Sequence, residues 1–241
     1  MDREMERIVM MGPHAGETPL LAGAPLDEAA YALILVHGRG GTPEGMVPIA
    51  RAARAVGGTN DAAIIAPRAQ GNSWYPYRFL APKADNEPWL SSALATVGHA
   101  VDMALGAGIP ADRIVLVGFS QGACLSLEYL ATRAVSSAAG TARLGGVMAM
   151  AGALIGDPAV PRVATVAQRD ALHATPVILA CGDADPHIPE ALVRESAAYL
   201  AALGARTDLR IYPGVGHDIV GDEIDALRLL VEEVRGRIVD T

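Results

Sequence analysis

The chain has 241 residues and a formal net charge of −8. About half of its residues are apolar (51%) and 19% are charged, which is typical of a compact globular protein and excludes a disordered chain. The negative balance and the scattered lysines and arginines argue against nucleic-acid binding, so a small neutral or apolar molecule is the expected partner.

Residues 1–30, at the start of the chain, show only a weak secondary-structure pattern. Ile8–Met11 and Pro19–Leu21 are candidates for short strands at an antiparallel sheet edge. From residue 31 onward, short and almost continuously apolar runs alternate with helix-length stretches. Because these runs lack polar alternation, they indicate strands that are buried on both faces, as in a parallel sheet. The candidate strands are Tyr31–His37, Ala62–Pro67, Arg113–Phe119, Gly146–Met150, Val177–Cys181 and Leu209–Tyr212.

Helical stretches lie between these strands. Apolar residues recur at three- and four-residue spacing from Leu90 to Leu105, from Leu192 to Leu203 and from Val220 to Ile238. Alternation of strands and helices with right-handed crossovers predicts an α/β protein with an open, doubly wound sheet. With no internal repeat or linker, we expect one domain over residues 1–241; residues 68–89 are irregular.

Gly118-Phe119-Ser120-Gln121-Gly122 lies at the end of the third buried strand and opens a helical stretch. A serine on such a sharp turn has strained backbone angles, and flanking glycines relieve the crowding on both sides. The turn raises the hydroxyl above the sheet and places it at a helix N-terminus, where free N–H groups favour negative charge. This pattern predicts a nucleophilic serine, Ser120.

A serine hydroxyl needs a base, and the base needs an orienting acid. In α/β hydrolases the chain order is Ser, then Asp or Glu, then His, each after a later strand. Asp185 and His217 occupy these positions, just past the strands that end at Cys181 and Tyr212. Asp183 competes with Asp185 for the role of acid, with a turn or cap as its alternative role.

His37-Gly38-Arg39-Gly40-Gly41 ends the first buried strand. A glycine-rich turn lets the backbone approach a substrate and present an N–H to a developing oxyanion. The second donor would be the N–H of Gln121, the residue after the nucleophile. We expect His37 itself to be structural.

Together these motifs resemble the carboxylesterase/phospholipase family of α/β hydrolases, which includes acyl-protein thioesterases, over roughly residues 30–240. The resemblance implies the α/β-hydrolase fold without a large lid, and hydrolysis of carboxylic esters or thioesters without a cofactor. It implies Ser120 as nucleophile, Asp185 as acid, His217 as base and backbone N–H donors at Arg39 and Gln121. Thioesterase members carry Asp where this chain has Gly41, and the stretch from Ala66 to Tyr77 looks more like bacterial members.

The irregular stretch is rich in aromatic residues, which either pack together or line a binding pocket. Trp74 and Tyr75 are candidate substrate contacts. His187 either lines the pocket or is a hydrogen-bonded loop histidine, and His99 is expected to be solvated. No spacing of His, Cys, Asp and Glu resembles a metal site.

We therefore expect a serine hydrolase that acts on small or short-chain acyl esters, because residues 151–176 leave no room for a large lid. Lysophospholipase and acyl thioesterase activity are the alternatives; a peptidase or amidase and a non-catalytic binding protein are further ones. The charged start of the chain is not followed by a signal-peptide core, and no segment is long enough to span a membrane. Cys124 and Cys181 are too few for a disulfide framework, so a cytoplasmic protein is expected, with a homodimer left open.

Overall fold

The structure is a computed structural model that describes residues 12–53, 61–136 and 142–239. Within these ranges seven strands form one sheet in the order β1-β3-β2-β4-β5-β6-β7. Strand β1 is antiparallel to β3, and every other neighbouring pair is parallel. The strands are β1 (Leu20–Gly23), β2 (Tyr31–Val36), β3 (Ala62–Ala66), β4 (Ile114–Phe119), β5 (Gly146–Met150), β6 (Pro176–Gly182) and β7 (Arg206–Tyr212).

The five central strands, β2 to β6, lie within one residue of their predicted bounds. Strand β7 begins three residues earlier than predicted, at Arg206 instead of Leu209. It is an edge strand whose first residues alternate between exposed and half-buried. Polar side chains such as Arg206 and Asp208 can therefore face solvent within the strand. The predicted antiparallel edge strand at Pro19–Leu21 is confirmed as β1, whereas Ile8–Met11 lies outside the described residues.

Helices follow strands β2, β3, β4, β6 and β7. They are α1 (Pro43–Ala52), α2 (Trp89–Gly106), α3 (Gln121–Ser136), α4 (Glu190–Ala202) and α5 (Gly221–Val239). Helix α1 was not predicted, because Pro48 lies inside it. It begins with Thr42 as its N-cap, whose hydroxyl accepts a hydrogen bond from the Gly45 N–H, and with Pro43 in its first turn.

Alternate residues of each central strand pack into two separate cores. Ile34 and Leu116 point into the core beneath α2, α3 and α4. Leu35 and Val117 point into the core beneath α1 and α5 on the opposite face. This two-sided packing explains why the strands are apolar without alternation.

The predicted α/β-hydrolase fold is confirmed by this strand order and these flanking helices. Between β5 and β6 the chain forms a loop whose one helical element is a 3-10 turn, Val166–Gln168. The carboxyl ends of β2, β4, β6 and β7 lie at one edge of the sheet, and each continues into a segment that carries a predicted site residue.

No helix among the described residues is both long enough and apolar enough to cross a bilayer.

Candidate active site

Ser120 occupies the sharp turn between β4 and α3. Its φ of 55° lies in the left-handed region, which a residue with a side chain adopts only under strain. The strained backbone is held at both ends, because the Ser120 N–H donates to the Met150 carbonyl (2.9 Å) and the Ser120 carbonyl accepts from the Cys124 N–H (3.0 Å). The turn is therefore fixed by β5 on one side and by the first turn of α3 on the other.

The two glycines of this turn are required by close backbone approach. A Cβ atom at Gly122 would lie 2.1 Å from the Val36 carbonyl oxygen, and one at Gly118 would lie 2.4 Å from the Gly122 carbonyl oxygen. Neither position can hold a side chain without displacing backbone. The crowding predicted from the sequence is thus present on both sides of Ser120.

Ser120, His217 and Asp185 form a continuous hydrogen-bonded chain. His217 Nε2 lies 2.8 Å from Ser120 Oγ, and His217 Nδ1 lies 2.7 Å from Asp185 Oδ2. The Asp185 side chain is fully buried and the His217 side chain is 20% exposed, so the chain of bonds runs from the interior towards solvent. This order gives His217 a proton on Nδ1 and leaves Nε2 free to accept the Ser120 hydroxyl proton.

The carboxylate of Asp185 is oriented by its own loop. Its Oδ1 accepts hydrogen bonds from the N–H groups of His187 (2.7 Å) and Ile188 (3.0 Å). Burial alone would raise the pKa of Asp185, but the hydrogen bonds from His217, His187 and Ile188 outweigh it and lower the pKa. Asp185 therefore stays anionic beside the imidazole.

Asp183, the competing acid, does not meet the histidine. Its Oδ1 accepts a hydrogen bond from the Gly214 N–H (2.6 Å), which ties the loop after β6 to the loop after β7. This is the turn role considered for Asp183 from the sequence, and Asp185 faces His217 instead.

Two further rings contact the imidazole of His217. The Phe119 ring lies 5.1 Å from it, centroid to centroid, and the exposed His187 ring packs edge-on at 4.9 Å. His187 thus lies beside the predicted base, as expected for a pocket residue. Phe119 was not singled out from the sequence, although it directly precedes the serine.

The glycine-rich turn after β2 lies against the serine. A Cβ atom at Gly38 would be 3.3 Å from Ser120 Cβ. Gly40 has a φ of 74° and its N–H donates to the Asn72 carbonyl (2.7 Å). Among the described residues, the N–H groups of Arg39 and Gln121 have no protein acceptor, and Gln121 is the first residue of α3. Both backbone donors are therefore left for a ligand at Ser120.

Trp74 and Tyr75 are both buried, at 0% and 1% exposure. The indole N–H of Trp74 donates to the His37 carbonyl (2.8 Å). The Gln121 side chain joins both residues, since its Oε1 accepts from the Trp74 N–H and its Nε2 donates to the Tyr75 carbonyl, each at 2.9 Å. This placement favours the packing alternative over direct substrate contact. Trp74 and Tyr75 instead support the end of β2 at His37 and the start of α3 at Gln121.

Two buried histidines, His37 and His14, hold the loop that follows β3. His37 has Nδ1 2.8 Å from the Gly38 carbonyl, and its Nε2 accepts from the Ala69 N–H. Burial lowers the pKa of His37, which keeps it neutral and fits the structural role expected for it. His14, which sequence reasoning missed, has Nε2 2.9 Å from the Trp74 carbonyl and accepts from the Gln70 N–H through Nδ1.

Both cysteines are free and buried. Cys181 Sγ lies 3.7 Å from Asp185 Oδ2, so it packs behind the acid of the chain. Burial raises the pKa of Cys124 and of Cys181 to about 12, so neither provides a thiolate near neutral pH. Ser120 is therefore the nucleophile that this arrangement offers.

A groove of about 1300 Å³ runs along α4 beneath the loop after β5, and none of the residues that line it belongs to the Ser120–His217–Asp185 chain. Buried Glu128 of α3 holds that loop, because it accepts hydrogen bonds from Lys83, Arg162 and the Ile155 N–H. No group of three or more His, Cys, Asp and Glu side chains in the described ranges is arranged to hold a metal ion.

The phospholipase/carboxylesterase family profile matches residues 22–233. The chain is 26% identical to acyl-protein thioesterase 1 of Neurospora crassa over 95% of this chain and 97% of that one, and 25% identical to acyl-protein thioesterase 1 of Saccharomyces cerevisiae over 89% and 97%. Among solved structures, a phospholipase/carboxylesterase from Dyadobacter fermentans is 38% identical with a TM-score of 0.78, covering 92% of this chain and 99% of that one. Esterase PE8 is 24% identical with a TM-score of 0.68, over 90% and 99%.

Proposed function

This chain belongs to the phospholipase/carboxylesterase family and is a carboxylic ester hydrolase, and we propose that it works through an acyl-enzyme formed on Ser120. The observation that carries the proposal is the unbroken hydrogen-bonded chain from Ser120 Oγ through His217 to the buried Asp185 carboxylate. A serine beside a histidine that is itself oriented by a carboxylate is the arrangement that activates a hydroxyl for acyl transfer.

In the first half of the reaction, His217 Nε2 takes the Ser120 proton as Oγ attacks the ester carbonyl. The carbonyl π electrons move to oxygen, and the resulting oxyanion accepts hydrogen bonds from the N–H groups of Arg39 and Gln121. The tetrahedral intermediate collapses as the bond to the alcohol oxygen breaks. His217 returns its proton to that oxygen, so the alcohol leaves neutral and the acyl group stays on Ser120.

The second half repeats these steps with water. His217 takes a proton from water as the hydroxide oxygen attacks the acyl carbon, and the same two N–H groups hold the oxyanion. Collapse then breaks the bond to Ser120 Oγ, which regains its proton from His217. Throughout, the anionic Asp185 stabilises the transient imidazolium and keeps the proton on Nδ1.

For the acyl group, we propose small or short chains. The support is that residues between β5 and β6 form a loop with a single 3-10 turn and no lid domain to enclose a long chain. The second candidate is an acyl thioesterase, which the name of the Neurospora crassa and Saccharomyces cerevisiae relatives favours, because a thioester would use the same triad and oxyanion donors. A matched ester and thioester with the same acyl group separates the two.

The test is hydrolysis of a nitrophenyl ester series from acetate to laurate. We expect kcat/KM to be highest for the short acyl chains, and Ser120→Ala to lower kcat by at least about 10⁴-fold, because activity without the triad comes from binding and oxyanion stabilisation alone. Ser91→Ala, on the exposed side of α2, is the matched control and should retain full activity. Wild-type turnover by the Ser120→Ala variant would exclude the mechanism, and a maximum at laurate would exclude the short-chain preference.

A further inference from the structure

Two arginines lie in segments that approach the site, and neither forms a salt bridge within the described parts of the chain. They are Arg39, in the turn after β2, and Arg78, in the loop that follows β3. The backbone next to Arg39 touches Ser120 through Gly38. Arg78 approaches the base instead, since its guanidinium lies 3.3 Å from the His187 carbonyl and the His187 ring packs on His217.

The two guanidinium groups differ in how many of their donors are in use. Arg39 donates four hydrogen bonds, to Ser73 Oγ (2.9 Å) and to the carbonyls of Tyr75 (2.8 Å), Pro76 (3.1 Å) and Tyr77 (2.7 Å). These bonds hold the loop after β3 against the turn after β2, and they leave few N–H donors of Arg39 for a ligand. Arg78 uses one of the five N–H donors of a guanidinium for its long bond to His187, so the others are available.

Arg78 is exposed, yet its backbone is held in place. Asn86 bonds to the loop on both sides of it, since Asn86 Oδ1 accepts from the Tyr77 N–H (2.9 Å) and Asn86 Nδ2 donates to the Arg78 carbonyl (3.3 Å). The fixed backbone and the bond from the guanidinium to the His187 carbonyl together limit where this charge lies relative to His217. This is the property expected of a residue that orients a substrate.

The charges around the site support an anionic ligand. The chain as a whole carries a formal net charge of −8, so the overall electrostatic potential of the protein does not attract an anion. Among the nearby carboxylates, Asp185 is turned inward to His217, Asp183 is exposed and accepts a hydrogen bond from the Gly214 N–H, and Asp218 is exposed next to His217. Within the described residues Arg78 lies near the base and is paired with no carboxylate, so it is the cation here that can bind an anion.

We infer that the preferred esters carry an anionic group, a carboxylate or a phosphate monoester, and that Arg78 binds it. The inference rests on the proposed function, because it names the substrate class of the Ser120 site. Arginine suits both anions, since its planar fork donates two parallel hydrogen bonds to carboxylate or phosphate oxygens. Arg78 is then a specificity-determining residue and takes no part in proton transfer.

The experiment compares matched esters that differ in one anionic group. The carboxylate pair is 4-nitrophenyl hydrogen adipate and its methyl ester, and the phosphate pair is 3-butyryloxyphenyl phosphate and 3-butyryloxyanisole. The readout is the ratio of kcat/KM for the anionic ester to kcat/KM for its neutral partner. Because it is a ratio, it does not respond to a general loss of active protein.

For wild type we expect a ratio of about 10 or more in at least one pair, which also identifies the preferred anion. Arg78→Gln should lower that ratio to about 1, and Arg78→Lys should keep part of it by restoring the charge. Arg51→Gln is the control, because Arg51 is exposed at the end of α1, away from the carboxyl edge of the sheet, and it should leave the ratio unchanged.

Two results would overturn the inference and leave the proposed function intact. One is equal hydrolysis of both members of each pair by wild type, and the other is an anion preference that survives in Arg78→Gln. If wild type hydrolyses no ester of either pair, the proposed function fails, and the inference fails with it.

Discussion

At the scale of single residues, the site depends on positions where the backbone leaves no space. Val36 at the end of β2 approaches α3 so closely that its carbonyl oxygen would be 2.1 Å from a Cβ atom at Gly122. The same approach brings the turn after β2 beside Ser120, which the two proposed oxyanion donors require. The sequence indicated the need for glycine next to the serine, but not which backbone atom imposes it, since the nearest atom is distant in the chain.

Gly122→Ala should therefore destabilise the protein strongly. The added methyl group meets the carbonyl oxygens of Val36 and His37, which are backbone atoms and cannot rotate away. We expect the free energy of unfolding, measured by urea denaturation, to fall by about 3 kcal/mol or more.

Gly106→Ala, at the end of α2, is the matched control because its added methyl group would have no neighbour within 4 Å. It should change the free energy of unfolding by no more than about 1 kcal/mol, in the stabilising direction. If the two variants were equally stable, the close approach at Gly122 would not be a constraint on the turn.

At the scale of elements, strands were predictable because burial on both faces leaves an apolar signature that depends on few other residues. Helix α1 lacks such a signature, since it is short and contains Pro48. The loop after β3 was recognised as aromatic, but its conformation was not predictable. It is fixed by Arg39, Gln121 and His14, whose bonds to it span 34 to 60 residues of chain.

The first turn of α5, the helix that follows His217, contains a buried carboxyl group whose ionisation affects stability. Buried Glu223 accepts a hydrogen bond from the Val220 N–H (2.7 Å), and burial raises its pKa from 4.5 to about 7. The folded state therefore holds the Glu223 carboxyl proton more tightly than the unfolded state does. The stability that the protonated carboxyl group contributes is present at low pH. That stability is lost as the pH rises through about 7.

Glu223→Gln retains the acceptor for Val220 but cannot ionise. We expect the variant to gain stability relative to wild type as the pH rises from about 5 to 8, by on the order of 1–3 kcal/mol in the free energy of unfolding. Urea denaturation across this pH range measures the difference. Glu232→Gln, on the exposed face of the same helix, should show no such trend, and a constant difference for Glu223→Gln would refute the assignment.

At the scale of the whole molecule, the parallel sheet brings distant parts of the chain to one edge. Ser120, Asp185 and His217 follow β4, β6 and β7, and the sequence pointed to all three because each follows the end of an apolar run. The packing around them was less predictable. Phe119 and Cys181 contact His217 and Asp185 through their side chains, and a one-dimensional pattern does not contain that proximity.

Labelling with a fluorophosphonate tests whether Ser120 is a nucleophile that His217 activates. The reagent phosphonylates an activated serine with loss of fluoride, and peptide mass spectrometry locates the adduct. We predict one adduct, on Ser120, that is absent in Ser120→Ala and forms far more slowly in His217→Ala. An adduct on another residue, or no adduct on a protein that hydrolyses esters, would show that Ser120 is not the nucleophile.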